Sequence, residues 1–412
     1  MSTGPQNLRN ELLIAAVVAF SAFYFLLNGV VRPVKYPHPD FQAYYSTATL
    51  LNQGRDPYLE MSKDHTLPHG RYLYSPVFAT VLRPLTRLSE RTAGHLWSIG
   101  ILTLCYVGGL AVVHRLMGLK WLSAGSAVLV LVAGTAFPII VEKRVGNCNS
   151  LSLLLISLSC LLSVQKKPFS SGLLLGASLL LKPSGYLLLL FQLLRGRIRF
   201  LAGAVTVLVI GFAFTVALYG PAMNISYFSS LIPSRLASGV NASLSNESFP
   251  ATLVRMFQDN PATRSWCDCP LFVRAADLLL RGFIFILSVY FLILGTRRNV
   301  DERLLWGLMI LTSLLLVNIL WIHHLVLLIL PLGAFLSGSI LFDRKSRLCV
   351  FVAGWALSML EYGVDSPWAT HGLGILLSSG NLWGLILLWG LSLSAIRGSG
   401  RSLAAGGAEA KP

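Results

Sequence analysis

Charged side chains are scarce in this 412-residue chain. They make up 12% of it, against about 25% in a typical soluble domain, while hydrophobic residues make up 54%. Apolar runs of about 20 residues recur along the chain, and each is long enough to cross a bilayer. The composition excludes a soluble globular protein and predicts an all-α polytopic membrane protein with about 10–12 membrane helices.

Acidic residues are particularly few. The chain has 17 Asp and Glu against 33 Lys and Arg, which gives a net charge of +16. A basic excess of this size can indicate a nucleic acid partner, but here the cations lie in short loops between apolar runs. Cytoplasmic loops of membrane proteins carry such cations. The excess therefore indicates membrane topology and contact with anionic lipid, and no nucleic acid partner is expected.

Several nucleotide- and metal-binding patterns are missing. The chain has no G-x-x-x-x-G-K-[ST] loop, no G-x-G-x-x-G turn and no D-x-D motif. Its six cysteines show no metal-ligand spacing, and Cys267 and Cys269 are too close in sequence for an unstrained disulfide. No cofactor or metal site is implied, and we expect no divalent cation to be required.

The apolar runs define the predicted topology. Leu12–Val31 is expected to remain as a membrane anchor, because no small-residue cleavage site follows it. A long polar segment, 32–92, comes next, and its part Arg71–Arg91 has the pattern of amphipathic surface helices. Further spans are predicted at Ala93–Val113, Trp121–Val141, Ser150–Val164, Phe200–Tyr219, Leu271–Leu294, Leu304–Leu320, Leu325–Leu341, Leu348–Leu360 and Ile375–Ile396. Residues 1–396 then form one membrane domain, and the Ala/Gly-rich tail 397–412 is predicted to be cytoplasmic and disordered.

The run Ser171–Phe191 is interrupted by Lys182-Pro183 and flanked by cations at both ends. A single crossing would put Arg195–Arg199 and every later basic loop outside, against the tendency of Lys and Arg to stay inside. A pair of half-helices that turns back at Lys182 keeps those loops inside. Such breaks occur at membrane depth where they face protein or a polar cavity. The sequence therefore favours a broken half-helix pair, with a single crossing as the alternative.

This topology puts the loops 32–92, 142–149, 220–270 and 361–374 on the outer face. Four polar clusters then share that face: Asp40, Arg144–Asn149, Asn246-Glu247-Ser248 with Arg255, and Trp321-Ile322-His323-His324. A carboxylate near paired histidines suits acid–base chemistry on a lipid-borne substrate, because Asp40 can take a proton from an attacking hydroxyl. The histidines and arginines can neutralise a phosphate.

Each of these residues also has a purely structural interpretation. Asp40 follows a proline and can be a helix N-cap. The two histidines can lie at the interface without a chemical role, and Arg144 can extend to lipid headgroups. Lys182 can reach a headgroup in the same way. The residues alone leave these alternatives open.

Taken in chain order, the motifs resemble glycosyltransferase family 87, a GT-C family of polyprenyl-phosphate-mannose-type mannosyltransferases. The family patterns D-x-x-x-Y and G-x-D-P-Y match Asp40–Tyr44 and Gly54–Tyr58. The later matches are Tyr72-Leu73-Tyr74-Ser75-Pro76, Gly146-Asn147-Cys148-Asn149, Lys182-Pro183, Ser245-Asn246-Glu247-Ser248 with Arg255, and Trp321-Ile322-His323-His324. The family has glutamine where this chain has Asn147 and Glu247.

The resemblance implies a GT-C-type bundle and an inverting hexosyltransferase at the outer face of the cytoplasmic membrane. The donor would be a polyprenyl-phosphate sugar, with mannose expected, and the acceptor a lipid-linked or other glycan. Asp40 would be the catalytic base, and His323 would contact the donor phosphate or assist the leaving group. Donor and phosphate binding is expected at His324, Arg144, Lys182, Asn246, Glu247 and Arg255. The acceptor cleft is expected at Tyr44, Tyr45, Tyr58, Tyr74, Asn147, Asn149 and Trp321. A monomer is compatible with these expectations.

A multi-pass transporter or flippase for a lipid or solute is the alternative from another class. A broken helix that carries Lys182 is typical of transporters. A transporter is also expected to hold its charges near the middle of the bilayer and to have two related halves. This chain shows no internal repeat, and its polar clusters lie at one interface, which favours the enzyme.

Overall fold

The computed structural model describes residues 5–63, 72–121, 123–182, 185–231, 233, 240–337, 344–359 and 366–406. Every regular element in these ranges is a helix, and the β-bridges there are the isolated pairs Asn246–Trp321 and Arg264–His371. The predicted all-α fold is therefore confirmed.

The α-helices follow one another closely, and many begin at a proline, whose missing N–H is not needed in a first turn. In chain order they are α1 Pro5–Phe25, α2 Pro39–Asn52, α3 Pro57–Lys63, α4 Pro76–Leu82, α5 Glu90–His95, α6 Leu102–Leu116, α7 Ala124–Gly134, α8 Phe137–Val145, α9 Asn149–Val164, α10 Pro168–Leu181, α11 Tyr186–Leu194, α12 Ile198–Tyr219, α13 Pro221–Ser226, α14 Phe249–Phe257, α15 Pro270–Arg297, α16 Glu302–Leu315, α17 Ile329–Leu336, α18 Lys345–Met359, α19 Gly374–Ser378 and α20 Gly380–Gly406.

Helical segments of membrane-spanning length confirm a multi-pass membrane protein. Within the described ranges, the segments that are long and apolar enough to cross a bilayer are Arg9–Lys35, Glu90–Leu116, Ala124–Val145, Ile198–Tyr219 and Pro270–Arg297. Each overlaps a span predicted from the sequence. Shorter apolar helices cover Asn149–Val164, Pro168–Leu181 and Ile322–Leu336, and they pack among the longer ones.

The two spans predicted at Leu304–Leu320 and Leu325–Leu341 take a different form. Helix α16 ends at Leu315, and a 3-10 helix, Ile322–Leu328, precedes the short α17. The cause is a set of distant side chains: Asn246 and Ser248 bind the carbonyl of Asn318, and the Asn246 amide oxygen accepts the N–H of Leu320. These bonds replace the helical ones, so the chain unwinds before the histidine pair. Residues 338–341 lie outside the described ranges.

Two other boundaries also differ from the prediction. The loop 142–149 is shorter than predicted, because α8 continues to Val145 and ends at Gly146, which has a φ of 75°. The last predicted span, Ile375–Ile396, divides into α19 and α20, and α20 continues to Gly406. The tail predicted to be disordered from Arg397 is therefore helical up to that residue, and 407–412 are outside the described ranges.

The polar segment 32–92 contains α2, α3, α4 and a 3-10 turn, Arg83–Arg87. The predicted surface helices correspond to α4 and this turn, while Arg71 itself lies outside the described ranges. Helix α4 buries Phe78 and Leu82 and exposes Val81, as an amphipathic helix does.

Helices α10 and α11 form the predicted half-helix pair around Lys182; Pro183 lies outside the described ranges. Helix α10 packs in parallel along α12, because Gly172 meets Phe200 near both helix starts and Leu180 meets Gly211 further along. Helix α11 must therefore carry the chain back to the level where α10 began. The chain therefore turns back at Lys182 and does not continue in one direction as a single crossing would.

An ionic cluster holds the opposite end of this hairpin. Arg195 donates two hydrogen bonds to the Glu302 carboxylate at 2.8 and 2.6 Å, and Arg197 and Ser163 contact the same carboxylate at 3.4 and 3.0 Å. The loops after α9, α11 and α15 thus meet at one end of the bundle. The charge-based topology assigns all three of these loops to one side.

We expect Gly172→Ala to destabilise the hairpin. A methyl group at this position would collide with the carbonyl oxygen of Phe200, a backbone atom that cannot move away as a side chain can. Overpacking of this kind costs about 1–3 kcal/mol. Thermal unfolding of the purified protein measures the loss. Gly282→Ala is the matched control, because nothing lies within 4 Å of its added methyl group; an equal effect of both substitutions would contradict the packing.

Candidate functional site

Asp40 lies in the first turn of α2. The N-cap of this helix is His38 and not Asp40, so the structural interpretation of Asp40 as the N-cap does not hold. The Asp40 carboxylate accepts a hydrogen bond from Asn147 Nδ2 at 2.7 Å and remains partly exposed. The helix start thus places a carboxylate where both a buried amide and a ligand from outside can reach it.

The Asn147 amide has only one orientation that satisfies its neighbours. Its Oδ1 faces three donors: Lys182 Nζ at 2.9 Å, Asn149 Nδ2 at 3.0 Å and the Cys148 N–H at 2.8 Å. An oxygen must therefore occupy this position, which directs the amide N–H groups to Asp40 and Tyr74. Asp40 must accept this bond, and a carboxylate oxygen suits that position.

Lys182 is buried at the C-terminal end of α10, with 5% of its surface exposed. Its Nζ donates to Asn147 and to the Asn149 Oδ1 at 2.5 Å. A lysine that extended to a lipid headgroup would be exposed, so that alternative does not hold. The half-helix break thus delivers a cation to the same amides that bind Asp40.

The histidine pair lies beside this lysine. Lys182 is near enough to His323 and His324 to interact with both electrostatically, and the two imidazole rings meet edge to face at 4.8 Å. Their 3-10 helix packs on α8 and α9. His323 is buried, and its Nε2 has no hydrogen-bond partner among the described residues. We call Asp40, Asn147, Asn149, Lys182, His323 and His324 the central group.

Buried tyrosines form one wall of the central group. The Tyr44 hydroxyl donates to the Tyr74 hydroxyl at 3.0 Å, and Tyr58 donates to the Tyr74 carbonyl at 2.8 Å. Burial raises the pKa of Tyr44 and Tyr74 well above the ordinary value, so both hydroxyls stay neutral. Tyr45 instead turns away and donates to the carbonyl of Leu88.

Asn246 and Trp321 connect the 220–270 loop to the segment before the histidines. Asn246 is fully buried and forms the β-bridge with Trp321, and its side chain bonds Asn241, Asn318 and Leu320. Trp321 is the N-cap residue of the 3-10 helix and is partly exposed. These contacts position the histidine pair and do not themselves reach Asp40.

The two arginines predicted to bind phosphate have other contacts. Arg255 is fully buried and donates to the carbonyls of Ser243 and Asn246 and to the hydroxyls of Thr252 and Ser379. The Arg144 guanidinium lies over the rings of Tyr36, at 5.1 Å, and Phe137, at 5.9 Å. Phosphate binding by either arginine stays a prediction that these contacts do not support.

A comparison with known families identifies the chain. A family model described as glycosyltransferase family 87 matches residues 72–331, more than half of the sequence. The chain belongs to glycosyltransferase family 87. The matched region of this glycosyltransferase includes Asn147, Lys182 and both histidines, whereas Asp40 lies before it. No curated protein and no solved structure matches the chain.

Family membership decides between the two function classes. A family 87 protein is a glycosyltransferase, so this chain is an enzyme. The transporter or flippase alternative is not supported. The half-helix break at Lys182, which a transporter would use to bind cargo, here brings a cation to Asn147 and Asn149.

The family 87 enzyme also contains site residues that the sequence patterns did not single out. The Cys148 thiol lies 3.9 Å from the Tyr44 hydroxyl, and Tyr72 packs against Tyr44 and Tyr74. Glu142 is fully buried, and its carboxylate accepts hydrogen bonds from the N–H and the hydroxyl of Ser150 at 2.6 and 2.5 Å. Tyr72 and Cys148 stand within motifs and could have been found by their spacing; Glu142 carries no such signal.

Metal binding has no evident donor set in the part of the chain that the structure describes. No three His, Cys, Asp or Glu side chains there lie close enough together to hold an ion. That this glycosyltransferase requires no divalent cation stays a prediction.

Glu247, next to Asn246, is a fully buried carboxylate, and neither of its oxygens has a hydrogen-bond partner in the described part of the chain. Burial raises the pKa of Glu247 from 4.5 to about 8, although the charge of Arg255 opposes the shift. At neutral pH the side chain is therefore a neutral acid, close in shape and polarity to a glutamine.

We expect Glu247→Gln to stabilise the enzyme at alkaline pH. Below about pH 4.5 the glutamic acid is protonated in both folded and unfolded chains. As the pH rises from there to about 8, the unfolded chain releases the proton first, so the wild-type free energy of unfolding falls. The variant should therefore gain about 2–4 kcal/mol at about pH 9 and nothing at about pH 4.5. Thermal unfolding of both proteins across this pH range measures the difference. If stability changes with pH in the same way in variant and wild type, the raised pKa of Glu247 is contradicted.

Proposed function

We propose that this glycosyltransferase moves mannose from a polyprenyl-phosphate mannose to a lipid-linked or glycan acceptor, with inversion at the anomeric carbon. The reaction would take place at the outer face of the cytoplasmic membrane. The observation that supports the proposal is the hydrogen-bond chain from Asp40 through Asn147 to Lys182, beside His323. It joins a base for the acceptor to a cation for the donor phosphate.

The chemical step is a single displacement. The acceptor hydroxyl oxygen forms a bond to the anomeric carbon while the bond from that carbon to the phosphate oxygen breaks. The hydroxyl proton passes to Asp40, and the bonding electron pair leaves with the polyprenyl phosphate. Asn147 holds the carboxylate in place, and general base catalysis of this kind contributes about 10²–10⁴-fold to the rate.

The charge that develops on the leaving phosphate needs a cation already in place. Lys182 supplies a fixed ammonium, and two of its three N–H donors are held on Asn147 and Asn149. The remaining donor can turn to a phosphate oxygen. His323, whose Nε2 has no partner among the described residues, is a second donor for the same oxygen atoms when that nitrogen carries a proton.

The small number of cations favours a monophosphate donor. Lys182 is the only lysine or arginine placed in the central group by the contacts of the described residues, because Arg255 donates to carbonyls and hydroxyls elsewhere and the Arg144 guanidinium lies over the Tyr36 ring. One ammonium with two imidazoles suits the single phosphate of a polyprenyl-phosphate sugar. A nucleotide diphosphate sugar would bring two phosphates to be neutralised.

A direct assay of transfer tests the proposal. The purified protein is incubated with polyprenyl-phosphate mannose and lipids extracted from its own membrane, and the products are identified by mass spectrometry. We expect an acceptor lipid or glycan that has gained one hexose. A parallel reaction receives a nucleotide-diphosphate mannose as the donor. Transfer from that donor, with none from the polyprenyl-phosphate sugar, would contradict the proposal.

A further inference from the structure

A cavity lies beside the start of α2. Its volume is about 280 Å³, and Val34–His38, Phe41, Gln42, Glu90, Arg91, Gly94 and His95 line it. None of the residues of the central group lines it, and Gln42 stands two residues after Asp40, about 200° around α2. The cavity is therefore separate from the central group.

The cavity lies where two membrane-spanning segments meet the polar loops. The first segment, Arg9–Lys35, ends at its edge, and the second, Glu90–Leu116, begins there. Each segment exposes an apolar side chain close to the cavity: Val31 near the end of the first segment and Leu96 near the start of the second. Lipid acyl chains would lie against these side chains, so the cavity is at headgroup level.

The charges around the cavity favour an anion. Lys35 and Arg91 are exposed cations at its rim, opposed by the single carboxylate of Glu90. His95 is half-buried, and its Nε2 is 3.1 Å from the carbonyl oxygen of Val34. Two flexible cations and one carboxylate leave a net positive rim, to which a phosphate ester is attracted.

His38 adds a buried group with a defined hydrogen-bonding role. Its Nδ1 lies 3.0 and 3.2 Å from the carbonyl oxygens of Lys143 and Arg144, which can only accept, so Nδ1 carries the proton. Burial lowers the pKa of His38, so the ring is neutral and Nε2 keeps its lone pair. Nε2 is buried and has no partner among the described residues. It can accept a hydrogen bond from a ligand hydroxyl.

We propose that this cavity binds the headgroup of an anionic membrane lipid, a phosphate ester that also carries a hydroxyl group. Arg91 and Lys35 contact the phosphate, and His38 accepts a hydrogen bond from the headgroup hydroxyl. The acyl chains lie along the exposed apolar surface that includes Val31 and Leu96. The proposal does not depend on which sugar the enzyme transfers or on the role of Asp40.

Lipid titrations followed by native mass spectrometry test this site. The purified full chain is freed of lipid and titrated separately with phosphatidylglycerol, which has both a net charge and headgroup hydroxyls, and with phosphatidylcholine, which has neither. We expect one phosphatidylglycerol to bind about tenfold more tightly than phosphatidylcholine. Equal affinity for the two lipids would overturn the proposal. Release of the bound lipid by inorganic phosphate would also overturn it, because the ligand would then be free phosphate.

Two variants and a control locate the binding. His38→Asn keeps an N–H for the carbonyls of Lys143 and Arg144, and asparagine tolerates the left-handed φ of 49°, but the variant lacks Nε2. Arg91→Gln removes a rim cation from an exposed position. We expect each to weaken phosphatidylglycerol binding about fivefold. Arg87→Gln, an exposed cation that does not line the cavity, should bind as the wild type does. Unchanged binding in both His38→Asn and Arg91→Gln would refute the site.

Discussion

Asp40→Asn is expected to lower kcat by about 10²–10⁴-fold and to leave the KM for donor and acceptor nearly unchanged. The asparagine has the same shape and can still accept the hydrogen bond from Asn147. It cannot take a proton from the acceptor hydroxyl. Initial rates of hexose transfer at varied substrate concentrations separate kcat from KM.

The control for this variant is a second carboxylate of the same polar segment. Glu60 forms an exposed ion pair with Arg55 at 2.7 Å, and such pairs contribute little. Glu60→Gln should therefore transfer sugar at a rate within about twofold of the wild type. An Asp40→Asn enzyme that is folded and equally fast would show that another group, or none, acts as the base.

The second large effect is expected for Lys182→Met, which removes the buried ammonium but keeps most of its volume. The polyprenyl phosphate then loses its fixed cation in both the bound donor and the transition state. We expect kcat/KM for the donor to fall about 10²–10³-fold, with both a higher KM and a lower kcat. Asn147 would also lose one of the three donors that fix its amide, so the Asp40 contact weakens too.

Lys143→Met separates this effect from the mere loss of a buried lysine. Lys143 is equally buried, but its Nζ donates to the Ser98 carbonyl and the Thr103 hydroxyl, away from the central group. The folded fraction of the Lys143→Met enzyme should keep a kcat/KM within about threefold of the wild type. Similar losses in both variants would indicate a general effect of buried charge, and the phosphate-binding role of Lys182 would be untenable.

Much of the fold follows from local sequence because membrane spans are local features. Runs of about 20 apolar residues can satisfy their backbone only as helices, so their positions are set by composition. The half-helix pair at Lys182 was also predictable, since cations flank both of its ends. The unwound stretch after Leu315 was not, because it depends on Asn246 and Ser248, side chains distant in sequence. No local pattern contains that information.

The site was predictable to the extent that its residues have unusual chemistry for their place in a membrane. Asp40, Lys182 and the histidines are polar groups near apolar runs, and the structure joins Asp40 and Lys182 through Asn147 and places the histidines beside Lys182. Arg255 and Arg144 share that unusual chemistry but are held by carbonyls, hydroxyls and aromatic rings. Charge alone cannot distinguish a cation that binds a ligand from one that binds its own protein.

A structure of the Asp40→Asn enzyme with intact polyprenyl-phosphate mannose tests the central claim most directly, because this variant binds the donor without consuming it. We predict the phosphate within hydrogen-bond distance of Lys182 Nζ and a histidine of the pair, with the anomeric carbon facing residue 40. A phosphate bound at Arg255, or in the cavity beside His38, with residue 40 remote from the sugar, would contradict the account.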